Sequence, residues 1–111
     1  MSTVDVGNAA EQAVAEDLVR QGYDILARNW KTKICEVDII ARRDDVVWFI
    51  EVKYRRTEKF GDGLQYIGPA KLQHLQRAAS LWACQHRYDG EYTLGAVAVS
   101  GDNIVSDLIE V

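Results

Sequence analysis

A chain of 111 residues with 48% hydrophobic and 27% charged side chains, a single Pro and 8 Gly has the composition of a folded domain, and its length excludes two independent cores. Its longest apolar run, at positions 46–50, ends at Glu51, far short of the ~20 residues that a membrane span needs. Thirteen Lys and Arg against seventeen Asp and Glu, a net charge of −4, exclude a protein that coats nucleic acid by bulk charge alone.

The charge is unevenly placed: positions 28–59 hold nine basic and six acidic residues, or +3, leaving four basic and eleven acidic residues, or −7, elsewhere. A local basic surface is compatible with that pattern, and so are the solvated ends of strands. No basic cluster followed by an apolar core occupies positions 1–7, so a soluble, cytoplasmic protein is expected. Cys35 and Cys84 form no CxxC or CxxH spacing and read as two reduced, buried thiols.

Helical spacing of Ala10, Ala13, Val14 and Leu18 predicts a first helix over positions 6–21, with Asp5 as its cap and Gly22 as its stop. Strands follow at 23–30 and 34–41, joined by a turn at 31–33. Asp44-Asp45 is the next tight turn. The stretch 46–54 is the most apolar and β-branched of the chain, as in a central strand covered on both faces. Positions 55–67, with Gly61, Asp62 and Gly63, read as a long loop. Pro69 starts a second helix whose stripe is Leu72, Leu75, Ala79, Trp82 and Ala83, broken at Tyr88-Asp89-Gly90. Strands at 92–100 and 104–111, turning at 101–103, complete an αβββαββ order: a mixed α/β sheet with its first three strands as a meander, in a single domain over residues 1–111.

Strand alternation places Glu36 and Asp38 on one face, opposite Val37 and Ile39, and puts Glu51 and Lys53 together on one face of the third strand. A carboxylate inside an apolar strand must be paired, hydrogen-bonded or bound to a metal. A salt bridge to Lys53 or an Arg would satisfy either acid alone. Hairpin pairing about Asp44-Asp45 brings Asp38 and Glu51 together, and with the main-chain carbonyl of Val52 they offer hard oxygens to Mg²⁺. Lys53 is then placed to meet an attacking water or the charge developing on a phosphate. Glu11 lies at the margin of the first helix's apolar stripe, either facing the same cleft or simply solvated, whereas Glu16 and Asp17 read as solvated residues.

The stretches carrying Gly7 and Glu11, Gly22 to Trp30, Glu36-Val37-Asp38-Ile39-Ile40-Ala41 and Phe49-Ile50-Glu51-Val52-Lys53-Tyr54-Arg55, together with the Lys71 helix, resemble the YraN-like family of small bacterial proteins. That family is similar to archaeal Holliday junction resolvases of the restriction-endonuclease-like PD-(D/E)XK superfamily. The resemblance implies a metal-dependent DNA endonuclease core with Asp38 and Glu51 as ligands of Mg²⁺ or Mn²⁺, Lys53 as the catalytic lysine and Glu11 completing the acidic cluster. Glu36 belongs to the family's motif in a supporting place. Ile34-Cys35 before Glu36, and Ala10 before Glu11, stand where the family usually has Gly.

Arg55 and Lys71 are the favoured DNA phosphate contacts, with Arg56, Lys59 and Arg77 behind them. Trp48 and Trp82 fall on apolar stripes and read as core. Trp30 and Tyr54 are open between the core and stacking on a base or a second subunit. His74 and His86 read as helix-surface residues. Branched DNA is the substrate favoured by analogy, which calls for a homodimer, while RNA and a protein partner needed for activity stay open. The alternative is a non-catalytic DNA- or protein-binding module on the same fold.

Overall fold

The computed structural model describes residues 3–54, 67–101 and 104–111. Helix α1 (Thr3–Arg20) starts earlier than its periodicity suggests, so Asp5 lies within it instead of capping it. Its stop is the expected one: Gly22 adopts φ +93°, and the N–H groups of Gly22 and Tyr23 donate to the Val19 and Leu18 carbonyls, each at 3.0 Å. This double closure of a helix end requires a left-handed residue, which Gly supplies without a Cβ penalty.

Strands β1 (Asp24–Lys31), β2 (Glu36–Arg43) and β3 (Val46–Tyr54) form the antiparallel meander. β2 begins two residues later than expected because the Thr32 hydroxyl accepts the N–H groups of Ile34 and Cys35 at 3.2 and 3.0 Å, holding them in the turn. Asp44 and Asp45 join β2 to β3 with φ of 53° and 63°, the two left-handed residues that a two-residue hairpin loop demands. Helix α2 (Pro69–Gln85) follows, and then β4 (Glu91–Val99) pairs parallel to β3 along its whole length. β5 is only Ile109–Glu110, so the long last strand expected from the sequence is corrected. Ahead of it the chain is tied to β4 by a single Val99–Val105 bridge and by Ser106, whose hydroxyl accepts the Ala98 N–H. A side chain there does what a ladder carbonyl would do.

The result is a five-stranded mixed sheet in the order β1-β2-β3-β4-β5, with β3 central, between the two helices. On one face α1 buries Ala10, Val14, Ala15 and Leu18 against Ile39, Ala41, Ile50, Val97 and Val99. On the other, α2 buries Leu75, Ala78, Ala79 and Trp82 against Val37, Ile40, Val47, Phe49 and Leu94. Trp82 and Tyr92 meet the Phe49 ring edge-on at 5.5 and 5.6 Å. Trp48 is only partly buried, against the α1 face, and Cys84 is exposed, which corrects its reading as a buried thiol; Cys35 is buried, and both are free. Trp30 and Tyr54 resolve as packing residues of the α2 and α1 faces respectively.

The alternation expected in β2 is also corrected. Val37 packs on the α2 face but Ile39 on the α1 face, although they are two residues apart. Across the ladder, Arg28 reaches Gln12 of α1 at 2.6 Å while Trp30 packs on the α2 face. Both strands therefore change face at the same place, Asn29 and Asp38. Asn29 takes φ 51°, a left-handed conformation that interrupts a pleat.

Candidate functional site

The change of face sets the position of Asp38. The β2–β3 ladder runs from Arg43–Val46 to Ile39–Ile50, and one step farther the Asp38 carboxylate accepts the Val52 N–H at 2.8 Å. A side chain thus replaces a backbone acceptor where the two strands part. Asp38 is half-buried there, between the two helical layers.

From the α2 side, Glu51 follows Val47 and Phe49 along β3 and is 9% exposed. Its Oε1 lies 3.3 Å from Lys71 Nζ of α2 and 3.8 Å from Lys53 Nζ. From the α1 side comes Glu11, whose Oε1 is buried without a hydrogen-bond partner. Such an oxygen is expensive to leave alone, by about 1–3 kcal/mol or more.

All three carboxyls are pushed up from the usual carboxylate range, first by burial. For Glu11 and Glu51 the next cause is the Asp38 charge, so Asp38 is the acid the other two share. For Asp38 itself the rise from burial is opposed by the Val52 N–H and by Lys71 and Lys53, while Glu36 adds to it. Lys71 and Lys53 hold Glu51 down, and Arg28, the Asn29 side chain and Lys31 do so for Glu11.

The fold thus gathers Glu11, Asp38, Glu51, Lys53 and Lys71 at one end of the central hairpin. Glu36 is exposed, and its charge acts on Asp38. Arg55, Arg56 and Lys59 lie outside the described residues. Lys71, the expected DNA phosphate contact on α2, is brought to the cluster and paired with Glu51. Asn29 was missed by sequence reasoning, although Asn is among the few residues that favour positive φ and signal a break in a strand.

Among the described residues no three His, Cys, Asp or Glu side chains are disposed to hold a metal ion. Mg²⁺, however, commonly takes one or two protein carboxylates and fills its other positions with water and phosphate. Asp38 and Glu51 meet that need in number and in donor type, and the unpartnered buried oxygen of Glu11, near enough to feel the Asp38 charge, is a further hard donor. The donor set fits a hard divalent cation. No described helix is long and apolar enough to cross a membrane.

These features define a class: an α/β protein with a mixed five-stranded sheet between two helices, in which an acid-and-lysine cluster sits where the central hairpin opens. The chain belongs to the YraN-like family described as "Uncharacterised protein family UPF0102", whose model matches residues 10–99 and so spans every member of the cluster. Among its relatives, a UPF0102 protein of Fusobacterium nucleatum is 35% identical over 105 residues, covering 94% of this chain and 88% of the relative. One from Caldicellulosiruptor saccharolyticus is 38% identical over 96 residues, covering 80% and 81%. One from Neisseria gonorrhoeae is 37% identical over 97 residues, covering 86% and 84%.

Proposed function

We propose that this protein is a metal-dependent DNA endonuclease, a restriction-endonuclease-like unit over residues 1–111 that hydrolyses phosphodiester bonds and favours branched DNA. The observation that carries the reading is the Asp38 carboxylate accepting the N–H of Val52, the residue after Glu51, with Lys53 on Glu51's own face 3.8 Å from it. Purely structural acids would be expected to pair with cations one by one. Here two acids, Glu11 and Glu51, both feel the charge of a third, Asp38, which lies between them.

Asp38, Glu51 and the main-chain carbonyl of Val52 would hold Mg²⁺ or Mn²⁺, with Glu11 beside them. When bound, the ion supplies a Lewis acid for a phosphoryl oxygen and lowers the pKa of water. Lys53 orients the attacking water and sets a positive charge against the oxygens that become more negative as the phosphorus is attacked. Lys71, whose Nζ lies 3.3 Å from Glu51, would add a second positive charge beside the scissile phosphate. The Val52 N–H fixes one Asp38 oxygen and leaves the other free to act as a ligand. Arg55 supplies a further phosphate contact where β3 leads into residues 55–66. Resolving a branch takes two cuts, which a homodimer provides.

Cleavage of labelled duplex, flap and four-way-junction DNA with Mg²⁺, Mn²⁺ or EDTA tests this. Metal-dependent cutting by the parent, lost by at least about 100-fold in Asp38→Asn, is the expected result. Equal cutting by both proteins would remove the reading.

The direct Lys71–Glu51 ion pair favours one second reading, a non-catalytic module that binds DNA or a protein partner and keeps the acids as a salt-bridge cluster. Calorimetry separates the two: Mn²⁺ binding that disappears in Glu51→Gln supports the nuclease, and no binding by the parent supports the module.

A further inference from the structure

The β1–β2 turn forms, with α2, an open cavity of about 240 Å³ on the surface, whose charged and polar walls are Lys31, Thr32, Lys33, Glu36 and His74. We propose that this cavity seats a phosphate of the DNA backbone beside the phosphate being cut, held by Lys31 and Lys33. The inference rests on the DNA reading above and extends it to a subsite.

Position is the first argument. Glu36, on the cavity wall, is close enough for its charge to act on Asp38, and the Lys31 charge acts on Glu11. His74 lies one helical turn beyond Lys71, which pairs with Glu51. The cavity therefore borders the acid cluster through three of its own lining residues.

Charge and rigidity supply the rest. Two ammonium groups and an imidazole face a single carboxylate, in a chain whose residues outside positions 28–59 carry −7. The lysines flank a turn that is held fast. Thr32 donates its N–H to the Cys35 carbonyl at 2.8 Å, its hydroxyl accepts two further N–H groups, and Cys35 is buried in the α2 cluster. A phosphate meeting lysines on so fixed a turn loses less binding energy to ordering them than it would on a loose loop. No Phe, Tyr or Trp lines the cavity, and its one ring, the His74 imidazole, stands with two lysines, so the ligand proposed is the phosphodiester anion, a contact that positions DNA without reading its sequence.

The test is binding of labelled duplex and four-way-junction DNA in EDTA across a salt series, for the parent, Lys31→Ala, Lys33→Ala, the Lys31→Arg/Lys33→Arg pair and Asp38→Asn. Each Ala variant is expected to bind both DNAs about three- to tenfold more weakly and to lower the salt slope by about 0.9, while the Arg pair keeps both values. Thermal melting confirms that each variant is folded. Unchanged affinity and slope in both Ala variants would overturn the subsite, even if the parent cuts DNA with metal. Loss of binding in the Ala variants with no cutting by the parent would support the subsite while the nuclease reading failed. Tighter binding of a labelled RNA with the same lysine dependence would overturn DNA as its ligand, and no DNA binding by the parent would overturn both proposals.

Discussion

At Asp38 one side chain closes a gap in a ladder and charges a site. Its carboxyl, like those of Glu11 and Glu51, is pushed above its usual range, first by burial, so the folded chain binds protons that the unfolded chain would release. Stability from such a group is complete below the unfolded pKa and is lost as pH rises through the folded one. Asp38→Asn keeps an oxygen for the Val52 N–H without the charge. In EDTA it is expected to melt at a higher temperature than the parent at neutral pH, with the gap closing toward about pH 4. A variant that melts lower at neutral pH would contradict the electrostatic account.

Lys71→Met gives the opposite pattern, because the ammonium helps only a charged Glu51. Its melting temperature should fall below the parent's at neutral pH and approach it in acid. The acids themselves were visible in the sequence as carboxylates within apolar strands. The Lys71 pairing was not, because no local spacing foretells which charges a helix and a strand twenty positions apart will bring together.

Among the elements, β3 has the bounds its β-branched run implies, and α2 starts where Pro69 sets its first turn. Gly22 stops α1 as expected. Gly22→Ala should lower stability by about 1–2 kcal/mol in urea unfolding, since φ +93° presses a Cβ toward the backbone. Gly95 in β4 is a second requirement, and one that sequence did not single out. A Cβ there would stand 2.8 Å from Leu108 Cδ1 and 2.9 Å from Trp48 Cε3, so Gly95→Ala should cost about 1–3 kcal/mol by the same measurement. The shortness of β5 was hidden for a related reason. Apolar residues at 104, 105, 108 and 109 suggest a strand, but Ser106 bonds the β4 backbone through its side chain and ends regular pairing.

Over the whole molecule the two apolar layers meet in β3, which sends Ile50 to α1 and Val47 and Phe49 to α2. Phe49 is fully buried against two rings, and Phe49→Ala should destabilise by about 3–5 kcal/mol in denaturant unfolding. Amide exchange should be slowest in β3 and β4, whose paired lengths are the longest in the sheet, and fastest in β5. The meander and the central place of β3 followed from turn residues and hydrophobicity. The faces of β1 and β2 did not, because a period of two assumes an unbroken pleat.

That break at Asn29 and Asp38 has a price in regularity and a return in reach. An ideal sheet is a wall: its residues belong to one side or the other, and side chains on opposite sides do not share a partner. Here the wall has a doorway one residue wide, and Asp38 stands in it. The charge of that one carboxylate acts on Glu11 and on Glu51, which come from opposite layers. A small chain thereby brings side chains from both layers to one place without the inserted loop or second domain that would otherwise be needed to fold one side over onto the other.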